Sequence, residues 1–274
     1  MKLPVRELKE HDELFWWLLE GEPVALINLD AHSDMAMFDG SLGIGNFISK
    51  LIQMGKVTEV FWVRDPRSID FEDGVHEFDM GQMYSNSLAL AASLPRPFYF
   101  VQQAYLTPDQ MLSPRPVRMT VVSTPDRLPD LKDTPWVLSV DFDYFSCRNP
   151  NAGALAGFVR ILGPDFIGDF YRRGKAIRTK NEWDAFAQTA ETNHPGITQA
   201  VAGGLFPEYT ATRNEIQAKI LAANRWLTGS ADFGLCRGLY SVESLGSGFT
   251  GREEHKLILE YVKLWFSFLK GAVK

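Results

Sequence analysis

Val24-Ala25-Leu26-Ile27-Asn28-Leu29-Asp30-Ala31-His32-Ser33-Asp34 is the stretch that decides how this chain folds. Its first six residues are almost continuously apolar, the length and pattern of a strand covered on both faces. Acids and an imidazole follow at once. The same order returns at Trp136-Val137-Leu138-Ser139-Val140, which runs straight into Asp141-Phe142-Asp143. Working outward, residues 60–63, 98–101, 117–122 and 234–240 read as further short strands. Residues 6–20, 46–54, 81–93, 165–173, 181–191, 213–226 and 252–269 read as helices, and Phe15, Trp16 and Trp17 are expected to pack the first of them onto the core. The Pro-rich stretch 107–116 and the stretch 125–135 read as loops. Short apolar strands alternating with helices imply right-handed βαβ units. The expectation is one α/β domain over residues 1–274, with a mostly parallel β-sheet flanked by helices.

Bulk properties narrow the function. The chain has 274 residues, 45% of them hydrophobic, enough for a large core. A net charge of −6 argues against a nucleic-acid partner, which calls for a basic face. No run reaches the roughly 18 apolar residues of a membrane span, and the opening residues lack a signal-peptide core. A soluble, cytoplasmic protein is expected. The two cysteines, Cys147 and Cys236, are far apart and show no CxxC spacing, so neither a disulfide framework nor a zinc-thiolate site is expected.

Asp30, His32 and Asp34 follow one buried strand, and Asp141 and Asp143 follow another. Carboxyl ends of strands in parallel sheets line the ligand crevice. Acids gathered there repel one another and lose hydration unless a cation is present. Five donors are too many for one site with an open position. Two ions about 3.5 Å apart, bridged by Asp30 and Asp141, fit them. Oxygen-rich donors with one or two imidazoles suit manganese, so two Mn2+ ions per chain are expected.

Leu29-Asp30-Ala31-His32-Ser33-Asp34-Met35 resembles the DAHxD signature of arginases and agmatinases, and Ser139-Val140-Asp141-Phe142-Asp143 resembles their SxDxD signature. Gly203-Gly204-Leu205 is similar to their GGL segment. Residues 234–239 are similar to their last core strand, which leads to a glutamate; Glu243 stands at that offset. The likeness covers most of residues 24–245 and implies the three-layer arginase-like fold. It implies that Asp143 also acts in catalysis, and that Glu243, or its rival Glu208, pairs with a substrate guanidinium.

The departures point to one branch. Arginases open with a GGDHS segment, absent here; instead Glu10-His11-Asp12, on the first helix, resembles the opening of an arginase-related family that includes bacterial peptide arginases. Asp141-Phe142-Asp143-Tyr144-Phe145-Ser146, Asn149-Pro150 and Asn46-Phe47-Ile48 resemble further marks of that family. The resemblance makes His11 a metal ligand. The peptide arginases among its bacterial members convert arginine side chains within ribosomally made precursor peptides to ornithine. Where free-arginine enzymes carry an Asn that meets the substrate carboxylate, this chain has Ala36; where they carry a relay His, it has Ile48. His194 could replace that relay. The implied partner is therefore an arginine-containing precursor peptide, with a homo-oligomer also possible. Alternative readings are a ureohydrolase for a small guanidino compound, an amide deacetylase of the same fold, and a non-catalytic, metal-stabilised peptide-binding protein.

Overall fold

The computed structural model describes residues 3–37, 41–68, 71–83, 90–93, 107–177 and 180–272. Its strands are β1 (Val5–Leu8), β2 (Val24–Leu29), β3 (Val57–Val63), β4 (Gly74–Gln82), β5 (Leu90–Ala92), β6 (Leu112–Val122), β7 (Trp136–Asp141) and β8 (Cys236–Val242). They form one eight-stranded sheet in the order β1-β8-β7-β2-β3-β6-β4-β5. The strands from β1 to β6 in that order pair in parallel, while β4 and β5 run antiparallel at the far edge. The mostly parallel α/β architecture is as expected.

Period-two alternation sorts the strand side chains to two faces. Leu26, Val60, Trp62 and Val137 point to one, where α1 (Glu13–Leu19) and α2 (Phe47–Gln53) cover them. Ala25, Ile27, Leu29, Leu138 and Val140 point to the other, under α7 (Arg213–Ser230) and α8 (Arg252–Ala272). Between β7 and β8 the chain builds a helical lobe of α3 (Ala152–Leu162), α4 (Pro164–Ala176), α5 (Lys180–Asn193) and α6 (Ile197–Gly204), with its own cluster around Ile167, Phe170, Trp183 and Val201. Gly204 permits the close approach of α6 to α3, since a Cβ there would fall 2.2 Å from Leu155 Cβ. Among the described residues no helix is long and apolar enough to cross a membrane.

Several expectations are corrected. Residues 5–8 do not join the first helix; they pair with β8, so tertiary pairing overrides the helical pattern. Phe15 is buried, but Trp16 and Trp17 are exposed, and Trp17 lies beneath the Arg6 guanidinium at 4.2 Å. Where a helix is expected at 81–93, residues 81–82 end β4 and Leu90–Ala92 form β5, while 84–89 lie outside the described residues. Pro114 and Pro116 belong to β6, in the stretch where β4 is its one neighbour, as a strand proline requires. Arg237 is exposed and donates to the Gly234 carbonyl (3.3 Å) instead of pairing with a buried acid. The strand expected at 98–101 lies outside the described residues.

Candidate metal centre

β2 and β7 are neighbours at the point where the sheet changes its direction of growth. From β2 the chain proceeds to β3 on one side, while β7 and β8 fill the other. A crevice opens at such a point beyond the carboxyl ends. The pairing of Leu29 with Val140 delivers Asp30 and Asp141 to the same edge.

The donors gather there in overlapping groups. Ligand atoms of His11, Asp30 and Asp34 lie within 4.8 Å of one another, as do those of Asp30, Asp141 and Asp143. His11 Nδ1 is 2.8 Å from Asp34 Oδ2, 3.0 Å from Asp30 Oδ2 and 3.3 Å from Asp141 Oδ2. His32 Nδ1 is 2.8 Å from Asp143 Oδ2 and 3.7 Å from Asp30 Oδ1. The two oxygens of Asp30 thus face different histidines. All six side chains are buried. His11 does not ride on a helix: it occupies the turn between β1 and α1, at the carboxyl end of the sheet's edge strand.

Neighbouring groups fix the acids in place. Asp30 accepts from the His32 amide (2.8 Å) and Asn28 Nδ2 (3.0 Å), Asp143 from the Ala31 amide (3.1 Å), and Asp141 from the Asp143 amide (3.0 Å) and the Ser244 hydroxyl (2.6 Å). His11 Nε2 bonds Ser139 Oγ at 2.8 Å, the outer contact that orients a ligating imidazole. Asp34 and Ser244 both adopt left-handed backbone, with φ of 49° and 47°. That strain costs on the order of 1 kcal/mol each and is characteristic of functional sites.

With no cation the assembly is electrostatically unfavourable. Burial, and then the charge of Asp34, push the Asp30 carboxyl up to about 6. Burial likewise raises Asp34, Asp141 and Asp143. Burial also opposes charge on the imidazoles, but the surrounding carboxylates outweigh it and hold His11 and His32 well above the usual range. His11 Nδ1 has no hydrogen-bond partner although three carboxylate oxygens surround it, and His32 Nε2 has none either. Buried carboxylates crowded around buried imidazoles are what divalent cations satisfy, so the residues fit metal ions at more than one position.

The sign of the pH effect follows. Between an unfolded carboxyl pKa of about 4 and the folded Asp30 value of about 6, the metal-free fold binds more protons than the unfolded chain. Its stability therefore falls as pH rises through that window, and the raised histidines extend the fall above their unfolded value of about 6.5. Divalent ions displace those protons, so the rise in Tm on adding Mn2+ should be larger at about pH 7.5 than at about pH 5. Thermal scans with and without metal check this; equal shifts at both pH values would contradict it.

The remaining candidates separate. Glu243 follows β8, but Lys9 Nζ (2.5 Å) and His255 Nε2 (2.9 Å) engage its carboxylate. Burial opposes ionisation of Glu243, yet those partners hold it below the usual carboxylate range. Glu208 is exposed after α6, and the His194 ring stands edge-on to Phe166 in the helical lobe. Neither joins a group of metal-capable side chains among the described residues. Ala36 and Ile48, the latter on α2, are buried in the core cluster on that face of the sheet.

Two features escaped the sequence reading. Cys147, set aside on spacing, lies fully buried with its Sγ near His32 and Asp143. Asp65, just past β3, accepts from Arg67 Nε (2.6 Å) and Lys219 Nζ (2.8 Å). Lys219 also donates to the Tyr144 carbonyl, one residue beyond Asp143, and Tyr209 Oη donates to the Asp143 carbonyl at 2.8 Å. The signal for Asp65 was its place at a strand end, the position shared by the metal-site acids. No protein-family model matches the chain, and no curated protein matches it.

Proposed function

We propose that the chain is a binuclear metal-dependent hydrolase that converts arginine side chains within a peptide to ornithine, releasing urea. The observation that carries the reading is the gathering of four aspartates and two histidines, all buried, at the switch point of the sheet. The oxygen-rich surroundings of His11 favour manganese. Two divalent ions there would supply Lewis acidity and lower the pKa of water to near neutral.

The chain's own residues have three tasks. Asp30, its oxygens divided between the two histidines, fixes the spacing of the two positions. Asp143, held by the Ala31 amide, is placed to orient the attacking water. An acid must then hold the guanidinium. With Glu243 engaged by Lys9 and His255, a carboxylate with an unpartnered buried oxygen beside His11 in the chain is Glu10, whose Oε1 accepts from the Ser247 N–H (3.1 Å). Water adds at the guanidinium carbon, the bond to the side-chain nitrogen breaks, and that nitrogen leaves protonated as the ornithine amine.

The choice of a peptide over free arginine rests on Ala36 and Ile48. Both are apolar and lie in the core, so neither offers a polar contact to a free amino acid. Binding energy from flanking residues of a peptide would take over that positioning. The test compares the manganese-loaded chain on free L-arginine and on arginine-containing peptides. Each converted residue should lose about 42 mass units and release one urea, as hydrolysis of a guanidine to an amine demands. Faster turnover of free arginine would leave an ordinary ureohydrolase; no urea from either substrate would end the arginase reading.

A further inference from the structure

We propose that Cys147 is a sulfur ligand of the second metal position, which makes the two ions of the centre chemically unequal. The inference rests on the binuclear reading above and concerns which donors the second ion receives.

Around His11 the neighbours are oxygens alone, from Asp30, Asp34 and Asp141. Around His32 they differ. Ligand atoms of His32, Asp143 and Cys147 lie within 4.8 Å of one another, an imidazole, a carboxylate and a thiol. The His32 side chain is nine-tenths buried and meets Asp143 Oδ2 through Nδ1 at 2.8 Å, so the thiol shares its group with the nitrogen and the oxygen that face each other there. The Cys147 Sγ makes a long, weak contact to the Arg148 carbonyl (3.4 Å) and also interacts with the His32 ring.

The surroundings keep the free side chain a neutral thiol, and a cation beside it is what would make it a thiolate. Ala31, Tyr209 and Phe249 pack against Cys147, and Phe206 and Phe249 flank the His32 ring at 5.0 and 4.4 Å. In this enclosure burial pushes the Cys147 thiol up to about 12. A divalent cation at bonding distance reverses that preference, because a coordinating thiol gives up its proton. Thiolate donors select zinc, iron(II) or cobalt(II) over manganese. The second position therefore takes a softer ion than the first.

Cobalt(II) is the probe, because thiolate ligation gives an intense charge-transfer band in the near ultraviolet, separate from its visible ligand-field bands. The metal-stripped full chain is titrated anaerobically with Co2+, alongside Cys147→Ser and Cys236→Ser. Wild type and Cys236→Ser should show both sets of bands, the charge-transfer band saturating at one thiolate per chain. Cys147→Ser should keep the ligand-field bands and lose the near-ultraviolet one. X-ray absorption of the zinc-loaded wild type should show sulfur at about 2.3 Å, which tests the ligand even if the serine variant fails to fold. Cobalt binding with no thiolate band, or with no sulfur in the zinc shell, overturns the inference and leaves the binuclear centre standing. A band that survives Cys147→Ser overturns it as well. Failure to bind cobalt or zinc at all removes the centre, and this inference with it.

Discussion

Asp141→Ala should leave a folded protein that holds neither ion, with metal content falling from about two per chain to below one. The carboxylate lies 3.3 Å from His11 through one oxygen and anchors the Asp143 amide through the other, so its loss affects both halves of the centre. Hydrolysis should fall by on the order of a thousandfold or more, beyond the 10–100-fold typical of an outer-shell change. Stability should move the other way in the metal-free state. Burial and the neighbouring Asp143 charge raise the Asp141 carboxyl, so ionising it in the fold is unfavourable. Above about pH 7, where every unfolded carboxyl is ionised, removing that group relieves the metal-free fold. Metal-free Asp141→Ala should therefore melt at or above metal-free wild type at pH 8 and gain no Tm with Mn2+. Full metal content in this variant would refute the assignment of the centre.

The second large effect is expected at Asp65. Its carboxylate is 1% exposed and joins Arg67 to Lys219. Burial opposes its charge, but the two cations prevail and hold the carboxyl at about 2. For Lys219 the balance differs: burial outweighs the attraction of Asp65 and lowers the ammonium's pKa. The pair is thus held by the anion's gain more than by the cation's. Asp65→Ala leaves a buried ammonium unpaired, a change that costs about 3–5 kcal/mol. At roughly 2–4 °C per kcal/mol for domains near this size, Tm should drop by about 10 °C. Asp65→Ala/Lys219→Met should recover much of that loss, since no charge remains buried. A depressed carboxyl stabilises above its unfolded pKa of about 4, and that contribution disappears as pH falls from 4 towards 2. The acid limb of wild-type stability in that range should accordingly be shallower in both variants. A Tm unchanged by Asp65→Ala would mean that Lys219 finds water when its partner is removed.

What the sequence revealed follows from where the signals were local. The apolar runs before Asp30 and Asp141 identified β2 and β7, because a strand covered on both faces leaves no other pattern. The acids after them were readable for the same reason. Ser139 and Asn28 were not: each is one polar residue in an apolar strand, and its role depends on the histidine or acid that the fold brings over it. Ser244 bonds Asp141 from more than a hundred positions away, a contact that no spacing encodes. Cys147 was dismissed because thiolate sites are recognised by paired spacing, whereas here its companions are an imidazole and a carboxylate. Among the elements, β1 was absorbed into the helix beside it, and β4 was missed because its register is set by β6. The small residues of Ala152-Gly153-Ala154-Leu155-Ala156-Gly157 hid α3, since glycine and alanine carry little periodic signal.

The position of β1 has a consequence for how the protein is made. Val5–Leu8 has one partner strand, β8, whose residues 236–242 are translated more than two hundred residues later. His11 stands just past that docked strand. During synthesis β2 and β7 can meet and present Asp30, Asp141 and Asp143 while the segment bearing His11 still waits for its partner. Closing so long a loop is among the last and slowest events of folding. The nascent chain therefore acquires the His32 side of the centre first and the His11 side at the end. The order of metal loading would be written into the strand order, and an extension fused ahead of residue 5 would delay the second loading step more than it would disturb the fold.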